Sequence, residues 1–332
     1  MGKIVKSKKL ICNNKLTNFR LMATIGVLSV IISLLTIILS QKLFFRYKIF
    51  DKIISRSSHS VIATRNGGVA IFSSLFLITI YFYLNSNEIF DFSLMIPLGI
   101  LFTIGLYDDF YQVDFKLKFI FQIIVAKILV DQGFYIESLN GFFGFYEISY
   151  MVSQFISIFL IVLLINALNF SDGIDGLAIT ETIKGLILVI CLSGVSIYEG
   201  INFLFLIIIL STIPLYYFNF RKKNKVFLGD SGSLLLGGII SIALIHLSNT
   251  IDYNEVGLGT PWLILICFAY PIVDLFHVVI KRTINKSSPF KADKGHAHHI
   301  LLNKGFSHLR TLLIISLSTG IIQIISIYLF TN

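Results

Sequence analysis

Ten apolar stretches follow one another with short polar breaks between them, near residues 21–40, 67–84, 92–106, 117–133, 150–165, 176–193, 200–218, 233–248, 260–280 and 310–330. Each is long enough, or nearly so, for the ~20 residues a helix needs to cross a bilayer. Lipid offers the backbone no hydrogen-bond partners, so a run of this length must satisfy its own N–H and C=O groups, and a helix does so. The expected fold class is all-α: a polytopic membrane protein of about ten (10–11) crossing helices over residues 21–332, preceded by a basic tail over residues 1–20. Only 14% of the 332 residues are charged, where a soluble domain carries roughly 25%. Neither an internal repeat nor a soluble domain is visible. Cys12, Cys191 and Cys267 are too scattered for a metal spacing, and neither disulfides nor zinc are expected.

Sidedness follows from charge, because Lys and Arg mark the cytoplasmic loops. Loops 41–66, 107–116, 219–232 and 281–309, with Lys118 and Arg310 beside them, hold 19 of the 27 Lys and Arg residues. The alternate loops 85–91, 134–149, 194–199 and 249–259 hold none, and Glu88, Asp91, Glu137, Glu147, Glu199, Asp252 and Glu255 fall there. The first set therefore faces the cytoplasm, together with the short break at 166–175. The net charge of +9 reports this sidedness, and no nucleic-acid partner is expected. One feature conflicts with it: the tail MGKIVKSKKLICNNKLTNFR carries six basic residues, yet ten crossings place it outside. An extra crossing or an unusual tail would account for it, and a chain beginning at Met22 would have no such conflict.

Five polar clusters lie on the cytoplasmic side. NALNFSDGIDGLA, residues 166–178, puts Asn166, Asn169, Asp172 and Asp175 beside Gly173 and Gly176. Carboxylates this close repel, which implies a cation or proton between them; a plain hairpin with Asn and Asp capping the next helix is the alternative. GLYDDF, residues 105–110, ends a span with Asp108 and Asp109, a pair that suits magnesium or merely terminates a helix. KVFLGDSGS, residues 225–233, sets Asp230 among small residues, as a cap or as a metal ligand with backbone N–H groups aimed at phosphate. SRSSHSVIATRNGG, residues 55–68, offers His59 and Arg65 to a phosphate, or only sets topology. SPFKADKGHAHHILL, residues 288–302, brings His296, His298 and His299 with Lys291 and Lys294. No cysteine completes a zinc site there, and the tract suits a pyrophosphate. Together these clusters fit an anionic, metal-bound, water-borne substrate meeting one held in lipid.

In these motifs, in their order and in their separations over residues 55–310, the chain resembles the polyprenyl-phosphate N-acetylhexosamine-1-phosphate transferases, glycosyltransferase family 4. That family includes the peptidoglycan translocase, and the chain is most similar to the branch that begins O-antigen, enterobacterial common antigen and wall teichoic acid synthesis. The resemblance implies transfer of a sugar 1-phosphate, GlcNAc-1-phosphate above all, from a UDP-N-acetylhexosamine to undecaprenyl phosphate with release of UMP. It also implies Mg²⁺, with Mn²⁺ as a substitute, and a multi-pass location in the bacterial inner membrane. A homodimer is left open. By position, Asp108 and Asp109 match the acidic pair tied to lipid-phosphate activation and metal, and Asp230 the magnesium-binding acid. Asn169, Asp172 and Asp175 match groups around the nucleotide, and Phe227 the ring that stacks on uracil. His296, His298 and His299 match the cluster near the pyrophosphate, with Asp172 and His296 counted among the catalytic residues. Two departures stand out: prolines usual near Ile62 and Thr64 are absent, and an arginine usual before the histidines is Lys294, which loses a bidentate donor.

A transporter is the rival reading, since Lys127, Lys184, Glu181 and Asp274 within the spans could line a pathway. No inverted repeat supports it, and the polar clusters sit at one rim rather than at the midplane. Deleting residues 1–21 is expected to leave both insertion and transferase activity intact. A cysteine-accessibility probe at Asn249 tests this, and misinsertion, or inactivity of protein that still accumulates in the membrane, would count against it.

Overall fold

A computed structural model describes residues 2–50, 62–86, 89–197, 200–251, 259–286 and 295–331, with side chains from 23 to 329. The helices, in chain order, are α1 (Gly2–Arg46), α2 (Gly67–Leu84), α3 (Met95–Tyr111), α4 (Phe115–Asp131), α5 (Tyr150–Ser171), α6 (Leu177–Leu192), α7 (Gly200–Phe220), α8 (Gly229–Thr250), α9 (Thr260–Cys267), α10 (Ala269–Ile284), α11 (Ala297–Asn303) and α12 (His308–Thr331). Every expected apolar span is met by one of these helices or, for 260–280, by the α9–α10 pair. Among the described residues seven helices are long and apolar enough to cross a membrane, or eight spans if the bent pair counts as one. The helices at the two remaining expected spans, α4 and α6, have 17 and 16 residues. The protein is a multi-pass membrane protein.

Short strands supplement the helices. β1 (Ala63–Thr64) pairs in parallel with β4 (Lys225–Val226), and β2 (Ser138–Phe142) forms an antiparallel hairpin with β3 (Phe145–Glu147) at the opposite end of the bundle. The β1–β4 pairing continues through Gly67 N–H to the Phe227 carbonyl (3.0 Å) and Gly68 N–H to the Leu228 carbonyl (2.9 Å). The segments that lead into α2 and α8 are thus joined.

α8 is the hub, with 94% of its membrane window buried, packed against α2, α3, α5 and α6. Apolar attraction between helices is weak in lipid, so close backbone approach between small residues does much of the packing. A Cβ on Gly68 would lie 2.3 Å from the Gly232 nitrogen, and one on Gly105 would lie 2.4 Å from the Asp230 carbonyl oxygen. Both contacts are with backbone, which cannot move aside as a side chain can.

α9 and α10 meet at a 97° bend. Pro271 explains it, because its nitrogen has no hydrogen to bond the carbonyl four residues back, that of Cys267. From α12, Gln323 fills the gap, its Nε2 donating to the carbonyls of Ile266 (3.0 Å) and Cys267 (3.1 Å). Such a rescue matters most where no water can substitute.

Gly105→Ala is expected to lower the apparent Tm in detergent by ~5 °C or more, or to block accumulation, since overpacking against fixed atoms costs about 1–3 kcal/mol. Gly99→Ala is the control, because the added methyl would sit 3.7 Å from the Phe72 ring; its Tm should be unchanged or raised.

Candidate active site

The termini of α2, α3, α5 and α8 converge at the end that the charge asymmetry assigns to the cytoplasm. Asp109, in the last turn of α3, reaches across to the start of α8. Its Oδ1 accepts from the Asp230 N–H (2.9 Å) and its Oδ2 from the Ser231 N–H (3.0 Å). A helix begins with N–H groups that lack partners, and a carboxylate there is favoured both by hydrogen bonding and by the helix dipole. Gly229 makes this approach feasible: its φ is +75°, and a Cβ there would meet the Asp109 Oδ2 at 2.7 Å. Arg65 lies 3.9 Å from the same carboxylate.

Asp108 turns the other way. Its Oδ1 accepts from the Val113 N–H (2.5 Å), and its Oδ2 pairs with Lys118 at 3.0 Å. Lys118 also pairs with the Asp230 Oδ2 at 2.8 Å, bridging the two carboxylates. In the sequence Lys118 is only a charge at the head of a span; its place ten residues after Asp108, one turn into α4, is the signal that could have marked it. From α5, Asn169 Nδ2 donates to the Ser233 hydroxyl at 2.8 Å, one turn beyond Asp230. Asn166 and Gln122 hold each other at 2.7 Å.

Asp172 follows the last residue of α5 and is half-buried. Burial, reinforced by the nearby charges of Asp230 and Asp109, pushes its carboxyl well above the usual range. Asp108, Asp109, Asp172 and Asp230 therefore outnumber Lys118 and Arg65, and the site has room for further positive charge. Among the described residues no three His, Cys, Asp or Glu side chains stand close enough to hold one ion by themselves.

Asp175 has a different setting. It pairs with Lys225, and His308 Nδ1 lies 3.2 Å from its Oδ2. Burial alone would raise this carboxyl, but the hydrogen bonds from His308 and Lys225 outweigh that and bring it below its ordinary value. The residue thereby ties the 172–176 turn to the entrances of α8 and α12. Phe227 is half-buried between β4 and α8.

The histidines form a second wall. His296 Nδ1 lies 2.7 Å from the Asp274 Oδ2, while the Asp274 Oδ1 accepts from the Ala297 N–H at 2.8 Å. His298 is fully buried with Nδ1 3.0 Å from the Tyr270 hydroxyl. A Cβ on Gly173 would meet its Nε2 at 2.2 Å, which places this imidazole against the 172–176 turn. Burial, with His299 next in effect, pushes His298 down to about 3, so it is neutral. The His298 and His299 rings are 4.5 Å apart. Asp274, placed on a transport pathway by the rival reading, is instead a partner of the histidine wall. Lys184 and Glu181 pair at 3.0 Å and Lys127 pairs with Asp131. His59, Lys291 and Lys294 lie outside the described residues.

Residues 91–248 match the family model described as glycosyl transferase family 4. A Bacillus subtilis protein named "Probable undecaprenyl-phosphate N-acetylglucosaminyl 1-phosphate transferase" is 33% identical over 318 residues, covering 91% of this chain and 84% of its own. A Mycobacterium tuberculosis decaprenyl-phosphate N-acetylglucosaminephosphotransferase is 30% identical, covering 80% and 72%. An undecaprenyl-phosphate alpha-N-acetylglucosaminyl 1-phosphate transferase of Salmonella typhimurium is 27% identical, covering 86% and 78%.

Asp175→Asn should destabilise the protein at neutral pH by on the order of 2–5 kcal/mol, because Lys225 and His308 lose the charge they face. The lowered carboxyl fixes the sign. Asp175 stabilises the fold above its unfolded value of 3.8, and this contribution is lost as pH falls through the lower folded value. Thermal melts in detergent from pH 7 to pH 3 check it: the gap between wild type and variant should close at the acid end.

Proposed function

The chain belongs to glycosyl transferase family 4, and from that premise we propose that it transfers N-acetylglucosamine 1-phosphate from UDP-N-acetylglucosamine to undecaprenyl phosphate, releasing UMP. The convergence of Asp108, Asp109, Asp172 and Asp230 around the α8 start carries this reading. Transfer between two phosphates brings anions together, so positioning and charge neutralisation do most of the work. An excess of carboxylates suits a hard cation, and Mg²⁺ uses one or two carboxylates and completes its shell with water and substrate phosphate. Asp230 and Asp109 are the residues that would hold it, with Asp172 close by; the single backbone N–H on each Asp109 oxygen leaves a lone pair there. The bound ion would supply charge neutralisation at the pyrophosphate.

The protein's own groups divide the remaining tasks. Lys118, between Asp108 and Asp230, places a cation beside the acid proposed to deprotonate or position the lipid phosphate. Arg65 presents positive charge at the cleft, beside the carboxylate of Asp109. Phe227 is proposed to stack on uracil, and the histidine wall to face the pyrophosphate and sugar. The proposed location is the bacterial inner membrane, where the product would begin a cell-surface polysaccharide. The charges on which the transporter reading relies pair locally.

UMP release on adding both substrates and Mg²⁺ tests the proposal; release that does not require undecaprenyl phosphate would count against it. Asp230→Asn should fold and give no turnover, and wild-type-like rates at limiting Mg²⁺ would remove Asp230 from the metal. Phe227→Ala should raise KM for the UDP-sugar by about 10-fold, the loss of one base-stacking contact, with KM for the lipid little changed. Equal changes in both would mean ordinary packing.

A further inference from the structure

Tyr270 and Asp274 lie one turn apart on the buried side of α10, and each holds one imidazole of the histidine wall. Asp274 does more than pair. One oxygen accepts the first backbone N–H of α11, and the other lies 2.7 Å from His296 Nδ1. Together these bonds fix where the peptide begins α11 and how the ring is turned. A carboxylate can only accept, so the nitrogen facing it must carry the hydrogen. That leaves Nε2 as the nitrogen available for chemistry. The ring lies 5.7 Å from Phe170, in the last turn of the helix that delivers Asn169 and Asp172. Asp274 itself is only 4% exposed, too deep to meet a water-borne substrate.

We propose that Asp274 is a positioning residue for the transfer reaction: it locks His296 in the Nδ1–H form and turns Nε2 toward the carboxylate-lined cleft. This inference rests on the transferase reading above. The logic is that of a carboxylate orienting an imidazole, where the acid sets tautomer and direction and never meets the reacting atoms. His296 Nε2 can then take the proton of an attacking phosphate hydroxyl, or, carrying a proton, donate a hydrogen bond to a phosphate oxygen.

The test is a double-mutant cycle on full-length protein in detergent or nanodiscs, with Asp274→Asn, His296→Ala and the pair. Asp274→Asn should lower kcat on the order of 10–100-fold, the usual cost of losing an orienting partner, and change KM for the UDP-sugar less than about twofold. In the His296→Ala background the same change should cost little, because there is no ring left to orient. Multiplying losses, or Asp274→Asn retaining more than half of wild-type kcat, would overturn the proposal. If Asp274→Asn fails to accumulate, Asp274→Glu keeps an acceptor and carries the same expectation of non-additivity. ¹⁵N-histidine spectra read the tautomer without substrate: the resonance lost in His296→Ala should report a protonated Nδ1 in wild type and lose that form in Asp274→Asn. An unchanged tautomer would refute the positioning role whatever the reaction proves to be. Absence of UMP release from wild type would instead remove the transferase reading alone.

Discussion

Two hydrogen bonds from the first amides of α8 to the Asp109 carboxylate organise the catalytic end of this protein. α8 starts deep in the bundle, where each N–H without a partner would cost about 1–3 kcal/mol. A neutral acceptor would meet that need, but a carboxylate also gains from the positive end of the helix. The clasp fixes the end of α3 against the start of α8, and everything nearby follows. Gly105 is required because the backbones now touch, and Gly229 because the carboxylate must fit beneath the turn. Asp108, facing away from the clasp, is left to share Lys118 with Asp230.

The apolar pattern was a good guide to which segments are helical and a poor one to where helices stop. The runs fade at residues 106 and 165, yet α3 continues to Tyr111 and α5 to Ser171. Hydropathy registers the part of a helix that lies in lipid, and helical hydrogen bonding continues into the polar zone beyond it. Asp108, Asp109, Asn166 and Asn169 therefore ride on helices, not in loops, and their directions are set by the helices' rotation. Asp230, read as a residue before a span, sits in the first turn of α8. The parallel β1–β4 ladder could not be foreseen, because two-residue strands about 160 positions apart leave no periodic trace.

Charges in the apolar region gave the opposite difficulty. A lone Asp274 among Val, Leu and Phe reads from sequence as part of a pathway, because its partner is His296, 22 residues away at the start of another helix. Glu181 and Lys184 are neighbours on one helix, yet their environment is completed by Ser316 and Thr319 of α12. Both cases follow the same rule, that a buried charge must be paired and hydrogen-bonded. The residues that meet it are set by packing between distant helices, which composition does not reveal.

The contact between Gln323 and the bend has a consequence for biogenesis. The carbonyls of Ile266 and Cys267 enter the membrane long before the amide that satisfies them is synthesised, since Gln323 follows by 57 and 56 residues. Until α12 inserts, the nascent bend holds acceptors that its own helix cannot pair, in surroundings with little water. The bent arrangement is therefore least favourable during translation and becomes settled only when the last crossing arrives.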